Sequence, residues 1–109
     1  MRIYFVFILS FFILLFLSSQ SHGAEAGKSL YANRCVGCHG ADGKGNQAMA
    51  KALQANIPDL ISKEMTKKPD AEILEALSKG KGKMPPATGL SEKELKDLLG
   101  YIKGLARGK

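Results

Sequence analysis

The chain has 109 residues, with 16 Lys and Arg against 10 Asp and Glu, a net charge of +6, two cysteines and no tryptophan. A chain of this length holds one small domain, which buries a modest core and often needs a staple or a cofactor. The lysines are interleaved with glutamates and lack stacking aromatics, which argues against nucleic acid as a partner.

Arg2 is followed by an apolar run from Ile3 to Leu17, broken only by Ser10, and then by the small and polar stretch Ser18 to Ala24. The run falls short of the roughly 20 apolar residues of a membrane span. Its positive start and the small residues after it predict a signal peptide over residues 1–23, cut near Gly23, with export to the periplasm. Ala24 and Ala26 offer a second cut, before Gly27, and the competing expectation is an uncleaved membrane anchor. The leader has no cysteine, which argues against a lipoprotein. All five phenylalanines leave with it, so residues 24–109 keep only Tyr31 and Tyr101 as aromatics. So few bulky side chains imply that something else fills the middle.

In chain order, Gly27, Tyr31 and Cys35 lie four apart on one face of a predicted first helix. The glycines between Gly40 and Asn46 predict a loop, and Asn46 can cap a helix over 47–55. Ile57-Pro58-Asp59-Leu60 is expected to be extended, because a residue before proline is pushed out of the helical region. Pro69-Asp70 opens another helix, Ile73, Leu74 and Leu77 form its apolar face, and Gly80 ends it. Lys79 to Pro86 cannot be regular, and Gly89 closes that loop. Ser91 and Glu94 make a capping box, with Leu90 and Leu95 as its staple, before the helical repeat Leu95, Leu98, Leu99, Ile102. The expected fold is all-α, three to five helices joined by long loops. Loops of this length are functional or disordered, and a large ligand would give them something to pack on.

Both cysteines fall in Cys35-Val36-Gly37-Cys38-His39. Zinc needs four ligands, and His22 belongs to the leader. A thioredoxin-like pair needs a βαβ context that is missing here. A disulfide across two spacers closes a tiny loop, adds little stability and leaves His39 unexplained. Covalent haem attachment uses all three residues. The thiolates of Cys35 and Cys38, about one helical turn apart, add across the two vinyl groups as thioethers, and His39 brings its imidazole under the iron. One motif implies one haem c.

On these residues the sequence resembles the small soluble monohaem class I cytochromes c over essentially all of residues 24–109. Gly27 and Tyr31 resemble the glycine and aromatic of the family's first helix, and Gly100-Tyr101 its contact on the last helix. Ile57-Pro58-Asp59-Leu60 resembles the proline segment, and Lys81-Gly82-Lys83-Met84-Pro85-Pro86 the methionine loop. The resemblance implies a cytochrome c fold wrapped around one covalent haem, with the Pro58 carbonyl supporting His39.

The second axial ligand is expected to be Met84, held in a loop stiffened by Pro85 and Pro86 and loosened by Gly80 and Gly82. Met49 is expected to pack in the core or at the haem edge, and Met65 to lie at the surface or fill a gap. A neutral, soft thioether favours ferrous iron and raises the potential. With His39 and Met84 on the iron, no position is left for substrate, so the expected role is electron transfer rather than catalysis. The expectation is a monomeric periplasmic electron carrier. Lys79, Lys81 and Lys83 would offer a docking edge to acidic surfaces on membrane or periplasmic reductases and oxidases. Two alternatives stay open: a tethered or associated haem subunit of a larger oxidoreductase, and an open-site haem sensor or peroxidase.

Overall fold

The computed structural model describes residues 2–16 and 21–108, and the side chains of 2–12 and 23–108. Among these residues there are seven helices and no strand beyond the isolated bridge Lys81–Met84: α1 (Arg2–Phe16), α2 (Ser21–Arg34), α3 (Val36–His39), α4 (Gln47–Leu53), α5 (Lys63–Lys67), α6 (Asp70–Lys79) and α7 (Glu92–Arg107). The domain after α1 therefore has six helical segments rather than three to five, because α3 and α5 are short turns of four and five residues. Its all-α character is as expected.

α1 carries the apolar run, and its side chains from Ile3 to Leu9 are exposed. Among the described residues no helix is long and apolar enough to cross a membrane. Residues 17–20 of the predicted leader lie outside the described residues. α2 starts before the expected cut near Gly23 and continues through Gly27, so the first helix is longer than the sequence pattern suggested.

The largest interhelical contact is the crossing of α2 with α7, and α6 closes the core against α7. The core consists of Tyr31, Leu60, Ile73, Leu77, Leu98, Leu99 and Ile102. A β-carbon on Gly27 would come within 2.3 Å of the Asp97 carbonyl oxygen and 3.0 Å of the Tyr101 side chain, so only glycine permits this approach. The tyrosines stack beside it, with the Tyr31 and Tyr101 rings 5.2 Å apart and tilted by 47°. Gly100 and Tyr101 were expected at this contact; Tyr101 is there, whereas nothing at Gly100 demands a glycine, since a β-carbon there would meet nothing within 4 Å. Asp97 and Tyr101 lie on the α7 face toward α2.

Helix ends follow local chemistry. Ser91 Oγ accepts from the Glu94 amide at 3.1 Å and opens α7. Pro69 occupies the N-cap of α6, just outside the first turn, with Asp70 and Glu72 placed for the helix dipole. α4 stops at Leu53 rather than residue 55. Gln54 turns left-handed (φ 51), its amide donates to Lys51 and that of Ala55 to Ala50, which closes the helix in a Schellman pattern. Met65 packs half-buried against the core from α5, as a gap filler.

Candidate haem-attachment site

α2 delivers Cys35 by continuing its ladder, with the Cys35 amide donating to Tyr31 at 2.9 Å. The chain then makes the tight turn α3. The amides of Cys38 (3.3 Å) and His39 (2.8 Å) both donate to the Cys35 carbonyl, so the two thiols and the imidazole belong to one turn. Both cysteines are free and half-buried. His39 is buried at 8% exposure.

The loop that follows is tied back onto this turn. The Gly45 amide donates to His39 at 2.7 Å and the Asn46 amide to Cys38 at 2.8 Å. The Asn46 side chain works in two directions: Nδ2 donates to the Gly37 carbonyl at 3.3 Å, and Oδ1 accepts from the Met49 amide at 3.2 Å to cap α4. Tyr31 Oη donates to the Gly40 carbonyl at 2.6 Å. The sequence marks Asn46 as a cap and, by resemblance, Tyr31 as the aromatic of the first helix; their polar ties to the attachment turn depend on how the loop returns.

Burial lowers the His39 pKa, against the Pro58 backbone oxygen, which favours the protonated ring. Even so, Nδ1 is buried with no group in hydrogen-bonding geometry. Burial also pushes the Cys35 thiol up, with Arg34 pulling the other way and Cys38 adding to the rise. Two unpaired thiols and an imidazole with unused bonding capacity, on one turn beside an apolar core, fit a covalently attached haem.

Met84 is half-buried and packs against the same core cluster as Cys35 and Val36. Its loop is shaped locally. Lys81 and Met84 exchange both backbone hydrogen bonds (3.0 and 2.9 Å) around Gly82, whose φ of 58 suits the first central position of a two-residue turn. Gly80, at φ 77, lies where a β-carbon would be 2.6 Å from the Met84 carbonyl oxygen. Lys83 Nζ donates to the Leu53 carbonyl, and Lys79 pairs with Glu75 at 3.4 Å across exposed surface. Met49 is half-buried on α4. A concavity of about 710 Å³ lies elsewhere: it runs along α7 past Gly100, Gly104 and Gly108, and none of the four predicted site side chains lines it.

Residues 22–102 match the family described as cytochrome c oxidase, cbb3-type, subunit III. Among curated proteins, the chain is 33% identical over 92 residues to the cbb3-type cytochrome c oxidase subunit FixP of Bradyrhizobium diazoefficiens, covering 83% of this chain and 30% of that protein. It is 27% identical over 95 residues to the subunit CcoP of Azospirillum brasilense, covering 84% of this chain and 32% of that protein. The chain thus spans about a third of the length of these curated relatives. Among solved structures, the KustC0563 c-type cytochrome superposes with a TM-score of 0.63 at 29% identity, covering 72% of this chain and 95% of that one. The chain belongs to the cbb3-type cytochrome c oxidase subunit III family, as an all-α c-type cytochrome domain whose cofactor is covalently bound haem c.

Proposed function

We propose that this chain is a one-haem electron relay that works as a c-type haem subunit associated with a larger oxidoreductase. The family match over residues 22–102 to oxidase subunits carries the reading. In it, Cys35 and Cys38 would hold the haem as thioethers, His39 and Met84 would supply the two protein ligands to its iron, and the Pro58 carbonyl would help to orient the imidazole. The bound haem supplies a one-electron ferric/ferrous couple. The chain's part would be to supply both protein ligands from its own side chains and to surround them with apolar residues, which would disfavour the extra charge of the ferric state. It performs no substrate chemistry itself. Lys81 and Lys83 place positive charge beside the Met84 turn and suit an acidic partner surface.

A second reading is the freely diffusing periplasmic carrier, released from its leader near Gly23. The near-complete coverage of a solved c-type cytochrome favours it.

Tagged protein expressed in its native host distinguishes the two. The subunit reading expects co-purification with a larger haem-containing complex from gently solubilised membranes, weakened as salt rises. Recovery alone from the periplasmic fraction, with an intact mass starting at Ala24, would replace it with the carrier. In the ferric protein, Met84→Ala should abolish the weak long-wavelength iron–sulfur charge-transfer band while leaving haem covalently attached. A band that survives assigns the sulfur to Met49 or Met65.

A further inference from the structure

α2 and the loop carrying Met84 are joined by a side chain from the residue before the attachment motif. Arg34, the last residue of α2, donates from Nη1 to the Thr88 carbonyl at 2.8 Å. Arg34 immediately precedes Cys35, and Thr88 follows Met84 within the same loop. The loop's other ties lead away from the attachment turn: the Ala87 amide donates to the Leu77 carbonyl at 2.8 Å, and Lys83 reaches Leu53. Among the described residues, the Arg34–Thr88 bond is the hydrogen bond that joins α2 or the attachment turn to residues 80–89.

The loop has little internal give at Met84. The reciprocal Lys81–Met84 bonds and the close seat of Gly80 against the Met84 carbonyl make this segment a compact unit. Moving the Met84 backbone away from the attachment turn therefore shifts the loop as a body, and its anchor points set the cost of that movement. A guanidinium bonded to a carbonyl is a charge-assisted anchor, stronger than a neutral one.

We propose that Arg34 is a positioning residue for Met84: its bond to Thr88 holds the methionine loop shut against the haem-attachment turn and so sets how readily Met84 yields its place to an outside ligand. This inference rests on Met84 being the axial ligand, as proposed above.

The test is an imidazole titration of the haem-loaded ferric protein, followed by loss of the iron–sulfur charge-transfer band. Loss of one exposed charge-assisted bond should let Arg34→Gln bind imidazole about 3- to 10-fold more tightly than the parent. Arg34→Lys, which keeps the charge on a shorter single donor, should fall between the two. Thr88→Ala keeps the backbone acceptor and should match the parent, as should Arg107→Gln, which removes a charge from the last residue of α7, outside the loop. Unchanged imidazole affinity in Arg34→Gln overturns the inference, even if its thermal stability falls. If Arg34→Gln does not mature, Arg34→Lys decides: affinity equal to the parent overturns the inference. A band absent from the parent, or surviving in Met84→Ala, sinks the Met84 assignment and this inference together. A band lost in Met84→Ala alongside unchanged affinity in Arg34→Gln sinks this inference alone.

Discussion

At the α2–α7 crossing, Gly27 brings two backbones so close that a methyl group would collide with the Asp97 carbonyl, and Tyr31 and Leu98 are shut off from solvent beside it. Around Met84 the chain is mostly half-buried or exposed, and a few separate hydrogen bonds hold its loop to α2, α4 and α6. The first region is held by many dispersion contacts and buried apolar area, which are lost together. The second is held by polar links, each of which can break alone. A protein built this way can keep its helices while its methionine loop opens, so global stability and axial ligation are expected to respond to different substitutions.

The largest expected effect tests the packed region. Leu98→Ala empties a fully buried position in α7 and should cost about 2–5 kcal/mol in denaturant unfolding of the haem-loaded protein. The charge-transfer band of the folded fraction should persist. Loss of the band before global unfolding would break the proposed separation.

Gly80→Ala probes the loop from the opposite direction. The new methyl group meets the Met84 carbonyl oxygen at 2.6 Å and the residue must hold φ 77 and ψ 173, a region kept almost wholly to glycine that costs other residues about 1–3 kcal/mol. The charge-transfer band should weaken well before the unfolding midpoint moves by a comparable amount. A band of full intensity together with a large loss of global stability would show that the loop and the core unfold as one.

The smallest effect lies at the seam between the regions, where Tyr31 reaches from the crossing to the attachment loop. Tyr31→Phe removes the bond to the Gly40 carbonyl and should cost about 1 kcal/mol. Burial pushes the Tyr31 hydroxyl from its ordinary 10.0 up to about 12, with the neighbouring Cys35, Tyr101 and Asp42 adding to the shift. Because the unfolded phenol ionises first, this contribution is complete below pH 10 and is lost as pH rises toward 12. Unfolding curves across that range should slope downward in the parent and more shallowly in Tyr31→Phe. Parallel slopes would remove the hydroxyl from the account.

The parts of the fold legible in the sequence are those set by neighbouring residues. Ser91 caps α7 because its side chain is three residues from the amide it accepts from. Gly80 ends α6 because the chain there adopts a positive φ. α5 was missed, although Ser62 offered a cap: its Oγ accepts from the Met65 amide at 3.3 Å, but the helix is too short for an apolar period to show. Gly100 and Tyr101 were assigned to the interhelical contact by resemblance; Tyr101 is at it, joined by the Asp97 carbonyl, while a β-carbon on Gly100 would meet nothing within 4 Å.

The sequence by itself determined the chemistry on offer: two thiols and an imidazole within five consecutive residues, whose spacing puts them on one turn whatever the rest of the chain does. It also determined the helix caps and the tight turn before Met84, since these need only local hydrogen bonds and a residue free to take positive φ. Tertiary structure decided which distant groups meet. The Asp97 carbonyl at Gly27, the Gly40 carbonyl at Tyr31 and the Thr88 carbonyl at Arg34 are backbone oxygens, which every residue carries and no side-chain pattern marks. Only the path of the folded chain brings each to its partner.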